Sequence, residues 1–227
     1  MSKLGNIKDE YWVRQITVPQ AKPFIIDLHY AKRMPSVSYA YGLFNSRNKL
    51  LGVLTIGKPA SNSLCIGLCG EEYASQVYEL NRLVVLPDLP KNTLSYFVGR
   101  VLHKLRDTDL IIVSYADTGA NHHGYIYQAT NWWYTGQTKE RTDKYTPVNV
   151  HARHYDRTGK YDYLRKVRTS KYRYVYVPNK NLRKEVRGVI KYPILDHYPK
   201  GDNENYTLGN RLKTTVLNKK TGEVYQE

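Results

Sequence analysis

Two apolar runs separated by one amphipathic helical pattern restrict this 227-residue chain more than any other feature does. The first run, 77–86 (VYELNRLVVL), has the β-branched and aliphatic content of a strand buried on both faces. Pro87 and Pro90 punctuate the loop after it. Leu94, Phe97, Val98, Val101, Leu102 and Leu105 then recur at the spacing of one helix face, with Asn92 or Thr93 as N-cap. The second run, 109–115 (DLIIVSY), reads as another buried strand. Strand, helix and strand in so short a stretch make a βαβ unit, because parallel neighbours need a crossover, and that crossover is right-handed. The fold class expected is α/β, a mixed sheet built around this central βαβ unit.

The flanking segments fill in the sheet. Residues 12–18 alternate as a strand does, and 19–33 read as a helix with Pro23 tolerated in its first turn and Pro35 ending it. Segments 37–45 and 50–57 form a hairpin about Ser46, Arg47, Asn48 and Lys49. Residues 58–70, rich in Gly, Ser and Pro, read as a loop, 121–133 as a short helix, and 144–155 as a further strand. The organisation expected is a core over 10–150, a basic, Tyr-rich extension over 151–206 that completes the fold, and a peripheral tail over 207–227.

Charge narrows the partners. Lys and Arg number 35 against 20 Asp and Glu, a formal net of +15, which points to a polyanion unless the excess only keeps the surface soluble. Most of the excess lies beyond residue 153, interleaved with Tyr; the chain has 22 Tyr and 3 Phe. Tyrosine stacks on bases and bonds phosphates, but it equally suits half-buried strands. No apolar run is long enough to span a membrane and residues 1–10 lack a signal-peptide core, so a cytoplasmic protein is expected. Cys65 and Cys69 read as ordinary reduced thiols; no residue is assigned to a metal, and the pair leaves iron or zinc open.

Several residues carry possible chemistry. The helix start at Lys91, Asn92, Thr93 and Ser95 presents unpaired N–H groups and a positive dipole end, so it either binds an anion or is simply a capped helix. Glu79 and Arg82 sit in a buried strand, where a charge needs a partner or a function; by strand alternation they point to opposite faces. Asp117 ends the next strand, where ligands of open α/β sheets gather, and either acts as a base or caps the following helix. His29, beside Tyr30, and the His122-His123 pair titrate near neutrality, although two adjacent histidines make a poor metal site on a helix. No Ser–His–Asp signature, Walker loop or adenine-methyltransferase tetrapeptide is visible.

These residues recur as a pattern. His29-Tyr30, Gly57-Lys58-Pro59, Glu79-Leu80-Asn81-Arg82-Leu83, Lys91-Asn92-Thr93-Leu94-Ser95, Ser114-Tyr115-Ala116-Asp117, His123 to Asn131 (HGYIYQATN), Tyr134-Thr135-Gly136 and Tyr198-Pro199-Lys200-Gly201 follow in order. Together they resemble the phage Mom-type DNA-adenine modification family. The resemblance implies a GNAT-like (acetyltransferase-like) fold and an enzyme that converts adenine in double-stranded DNA to an N6-carbamoylmethyl-type base, shielding phage DNA from restriction. It implies catalytic roles for His29, Tyr30, Arg82, Ser95 and Asp117. It also implies an acyl-type donor, an acyl-CoA or an aminoacyl carrier, held at Lys91, Asn92, Thr93 and Ser95. Acetyltransferase-like folds hold the coenzyme A pyrophosphate at this junction with a glycine loop, and here no glycine is present.

Under that reading the base leaves the helix, stacks on Tyr30, Trp132 or Trp133, and loses a proton to Asp117 or His29. Arg165, Lys166, Arg168, Lys171, Arg173, Lys180, Arg183 and Lys184 would track phosphates. A conventional CoA-dependent N-acetyltransferase of a small amine or peptide would not need the basic extension. A non-catalytic DNA-binding protein would not need Arg82 or Asp117.

Overall fold

A computed structural model of the chain describes residues 7–146, 159–201, 208–210 and 213–227. A short helix α1 (Ile7–Glu10) leads into β1 (Tyr11–Gln15) and α2 (Val18–Pro23). Then come the hairpin β2 (Tyr39–Asn45) and β3 (Leu50–Gly57), α3 (Asn62–Cys69), β4 (Val77–Val85), α4 (Thr93–Lys104), β5 (Ile111–Asp117), α5 (Tyr125–Ala129) and β6 (Trp133–Gln137). The basic half supplies β7 (Arg141–Lys144), β8 (Leu164–Arg168), β9 (Lys171–Tyr176) and α6 (Lys180–Val189), and the C-terminus β10 (Thr215–Asn218) and β11 (Val224–Gln226).

Seven strands form one mixed sheet in the order β1-β2-β3-β4-β5-β9-β6, with β4 and β5 parallel and every other neighbour antiparallel. The expected βαβ unit is therefore its centre. On one face α4 buries Phe97, Val98, Val101, Leu102 and Leu105 against Leu54, Ile56, Leu80 and Ile112. On the other, α3 and α6 bury Leu68, Leu182 and Val186 against Val77, Ile111, Val113 and Val175. Each such side chain contributes about 1.5–3 kcal/mol by leaving water.

Several local expectations differ from what is observed. The 58–70 stretch is not all loop: eight residues form α3, because Leu64, Cys65, Leu68 and Cys69 share an apolar face that packs on the sheet. The helix begun by the Thr17–Gln20 capping box does not reach residue 33; it relaxes into a π-helical turn over Phe24–Leu28 and ends at an extended His29. The 121–133 helix shrinks to α5, entered through left-handed Gly124 and left through left-handed Asn131. Trp132 and Trp133 then fall in opposite cores.

Of the strand expected at 144–155 only Lys144 is in a strand, as the last residue of β7; Tyr145 and Thr146 are not, and residues 147–158 lie outside the described ones. The tail expected to be peripheral pairs instead with the basic segment, giving a second antiparallel sheet ordered β11-β10-β8-β7 about fully buried Val216. The extension also places β9 between β5 and β6, so the seven-stranded sheet is incomplete without it. Among the described residues no helix is long and apolar enough to cross a membrane.

One feature of the centre positions everything else. β4 and β5 pair only at Val77–Ile111, Tyr78–Ile112 and Glu79–Val113, after which they part. The next carbonyl, that of Leu80, would be orphaned at the fork, and buried carbonyls need a donor. Ser114 provides it, its hydroxyl donating to Leu80 O at 2.8 Å. A serine hydroxyl has one proton, so the 2.7 Å contact with the Tyr127 hydroxyl runs the other way, Tyr127 donating to Ser114 Oγ. The side-chain relay replaces the next rung of the ladder. Ser114→Ala, which orphans both Leu80 O and the Tyr127 hydroxyl, should destabilise by about 1–3 kcal/mol in urea unfolding, and Tyr127→Phe by clearly less. Equal losses would contradict the direction of the relay.

Candidate active site

Where β4 leaves β5, a cleft of about 1150 Å³ opens, reaching from the start of α4 to the turn after α2. A β-bulge shapes its β4 wall. The β3 residues Ile56 and Thr55 pair with Leu80 and Arg82, so Asn81 is the extra residue. Asn81 is held in place by donating to Ser36 O (2.8 Å) and accepting from Thr55 Oγ1 (2.7 Å). Ser36 runs so close to β3 that a Cβ on Gly57 would lie 1.9 Å from its carbonyl oxygen, and this is why glycine stands there. The bulge changes the parity of the strand. Glu79 opposes Gly57 and Arg82 opposes Thr55, so the two charges share one face, not the opposite faces that simple alternation predicts.

Arg82 reaches over to the turn after α2. Its guanidinium donates to Arg33 O (3.0 and 3.3 Å) and to Asn81 O (2.6 Å). That ties the turn carrying His29 and Tyr30 to the cleft. His29 is buried, and its Nδ1 accepts the Ala31 N–H at 3.0 Å, which leaves the proton on Nε2. Burial, and behind it the charges of Arg82 and His122, hold its imidazole down at about 3. His29 is thus a neutral donor and not the base expected of it. Tyr30 packs against it at 4.3 Å between ring centroids, with His122 edge-on at 6.2 Å. Burial, with Asp117 and Glu79 nearby, raises the Tyr30 phenol above its usual value, so it stays protonated.

Asp117 does not line the cleft. Its carboxylate accepts from Lys171 Nζ (2.6 Å), Thr169 Oγ1 (2.6 Å) and the Gly119 N–H (3.0 Å). Burial would raise its pKa, but the bonds from Lys171 and Thr169 outweigh burial and hold it below the ordinary value. The group is a committed anion that anchors the end of β5 to β9. Glu79 is the contrary case. It lines the cleft, and among the described residues nothing hydrogen-bonds or ion-pairs with its carboxylate. Burial raises its pKa more than Arg82 and Lys171 lower it. Reading residues one at a time left Glu79 undecided, because only the bulge and the parting of β5 separate it from a partner.

At the other end of the cleft, Asn92, Thr93 and Ser95 line the wall, while Lys91 stays outside. Asn92 is left-handed and makes no side-chain cap; Thr93 binds back to Pro90 O through its N–H and its hydroxyl, and the Ser95 hydroxyl donates to Asn92 O. The Leu94 and Ser95 amides have no partner among the described residues, so this end suits one anionic group. It offers no glycine cradle for a diphosphate.

The expected polyanion contacts divide. Arg165, Lys166 and Arg168 lie on β8, and Lys180 and Lys184 on α6. Lys171 is paired with Asp117. Arg173 is buried, donating to Thr135 and stacked on Tyr192 at 3.3 Å. Arg183 is packed between Trp133 and Tyr176. Trp132 and Trp133 are core residues, which leaves Tyr30 as the stacking candidate.

The Mom protein family matches residues 10–200. The chain belongs to that family. Within it, this Mom-family chain is 27% identical over 212 residues to the Escherichia phage Mu protein named methylcarbamoylase mom, covering 87% of each. Among solved structures it overlaps loosely with the spermidine/spermine N-acetyltransferase SpeG of Vibrio cholerae (TM-score 0.46, 11% identity, 79% of this chain and 99% of that one). A GNAT family acetyltransferase of Elizabethkingia anophelis with acetyl-CoA bound overlaps at TM-score 0.45 and 12% identity, over 74% of this chain and 99% of that one.

The His29 environment predicts a pH effect on stability. The unfolded imidazole takes its proton near 6.5 and the folded one only near 3, so as pH falls the unfolded state gains the proton first. This contribution is fully present above about pH 6.5 and is lost progressively toward about pH 3. Urea midpoints should fall from about pH 7 to about pH 5 in the native chain and less steeply in His29→Gln. Parallel curves would show that the imidazole stays accessible to protons.

Proposed function

We propose that this Mom-family chain is a transferase that places a carbamoylmethyl-type group on N6 of adenine in duplex DNA, and that Glu79 is its base. The observation that carries this reading is the carboxylate of Glu79, without a hydrogen-bond or ion-pair partner among the described residues, on the same strand face as Arg82 and beside Tyr30 in an open cleft. Adenine N6 is a weak nucleophile, its lone pair drawn into the ring, and it sits inside the base pair. The base must therefore leave the duplex, and N6 must give up a proton as the new N–C bond forms. A carboxylate whose pKa is raised by burial, and which no donor among the described residues satisfies, is suited to take that proton. Asp117 cannot compete for it, because three donors already stabilise its charged form.

The His29–Tyr30 pair presents an aromatic wall for the purine. Arg82 ties that wall to β4 and sets a positive charge beside Glu79. The donor supplies the transferred carbon and departs with its bonding pair. Its anionic portion belongs at the Leu94 and Ser95 amides, with Lys91 close in sequence. A single anionic handle fits that helix end, so the donor is assigned only as a molecule that bears one and carries the carbamoylmethyl group through its methylene carbon on a leaving group; the N6–CH2 bond forms as the bond to that leaving group breaks. Membership of the Mom family and likeness to the phage Mu methylcarbamoylase support the reaction class. The protection of phage DNA from restriction follows from the same reading.

Mass spectrometry of nucleosides from DNA of cells expressing the chain should show a new adenosine derivative. Glu79→Gln keeps the shape of the side chain and should lower its yield by about 10²–10⁴-fold. Activity of the native chain should rise with pH through the raised Glu79 pKa. A full yield from Glu79→Gln would move the base elsewhere, and no new nucleoside from the native chain would refute the reaction.

A further inference from the structure

We infer that Arg141 and Arg168 form a two-pronged phosphate grip at the mouth of the cleft, holding the backbone on either side of an extruded nucleotide; this rests on the reading that DNA is the substrate. The two arginines stand directly opposite each other, Arg141 on β7 and Arg168 on β8. Like charges facing across a strand pair oppose sheet formation. Asp143, two residues along β7 and so on the same face, answers both: Arg168 Nε lies 2.7 Å from its carboxylate and Arg141 Nε 3.5 Å.

Stability does not account for this arrangement. The side chains of Arg141 and Arg168 are 74% and 47% exposed, and ion pairs that open to water contribute little. One carboxylate between two guanidiniums also leaves the group net positive. Arg168 donates its Nε–H to Asp143 and Arg141 makes only a 3.5 Å ion contact with it; the Nη groups of both make no hydrogen bond among the described residues. Arg168 is thereby oriented beside Arg141, and both planar forks still carry donors for a bidentate anion such as phosphate.

Position supplies the ligand. Both arginines line the cleft, as do Arg33 and Lys139, whereas its acidic lining is limited to Glu79 on β4 and Asp88 in the loop before α4. A nucleotide whose base enters the cleft keeps its 5′ and 3′ phosphates outside, at the mouth. The cationic residues of α6 do not line the cleft, so they can add only general attraction to a duplex. The β7–β8 edge thus differs in kind from the rest of the basic surface: its arginines meet the phosphates of the extruded nucleotide, whatever the surrounding sequence.

Fluorescence anisotropy with two duplexes tests this. One is fully paired, and the other carries the same adenine opposite an abasic site, which lowers the cost of extrusion. The native chain should bind the second more tightly, by about 5-fold or more. The exposed double variant R141A/R168A should weaken binding to the abasic duplex by about 10-fold or more, make the slope of log K against log salt shallower by about 2, and reduce the preference to under about 2-fold. The pair K180A/K184A should weaken both duplexes alike and keep the preference. If R141A/R168A retains the preference, whether or not affinity falls, the grip is wrong and the DNA reading survives. If the native chain binds neither duplex, the DNA reading fails, and the grip with it.

Discussion

The parting of β4 from β5 after Glu79 is the constraint on which the rest of the structure depends. Parallel strands that stay paired would seal the centre of the sheet and leave Glu79 facing a neighbour instead of a cleft. Two devices keep them apart. On the β3 side, the bulge at Asn81 bends β4 away while its amide ties to Ser36 and Thr55. On the β5 side, Ser114 with Tyr127 satisfies the Leu80 carbonyl left at the fork, while β9 holds the opposite edge of β5. The cost of opening the sheet is thereby met by side-chain hydrogen bonds, without leaving polar groups bare.

Within the cleft, the environment of each ionisable group assigns its chemistry. Two carboxylates act on Tyr30, Glu79 from the cleft and Asp117 from outside it, and opposite surroundings separate them. Three donors fix Asp117 as an anion that joins β5 to β9. Burial without a donor leaves Glu79 able to exchange a proton. His29 shows the same logic for a base: burial, and behind it the charges of Arg82 and His122, favour its neutral form. Separated pKa values of this kind mark out acid, base and scaffold in a site.

Much of the fold was legible because it rests on local periodicity. The β4–α4–β5 unit and the β2–β3 hairpin follow from apolar spacing that tertiary contacts merely confirm. The Glu-Leu-Asn-Arg-Leu and Ser-Tyr-Ala-Asp segments lie on the two strands of the fork, β4 and β5. What failed did so for identifiable reasons. Helix α3 hides in a Gly- and Ser-rich stretch because its helical state depends on packing against β4 and β5 and not on propensity. Basic residues read as one continuous track divided into exposed, paired and buried groups, because alternation on β9 turns Arg173 into the core.

The sequence alone determined the class of fold, the excess of positive charge and the short list of residues able to do chemistry, since these depend on composition and on spacing along one element. Only the tertiary structure decided which carboxylate is free, which face Arg82 shares and which arginines stand at the mouth. Each of those depends on a register: the extra residue in β4, the short pairing of β4 with β5, and the pairing of Arg141 with Arg168. Register is set by contacts between distant segments, and a shift of one residue turns every side chain to the other face, so no local pattern could have contained it.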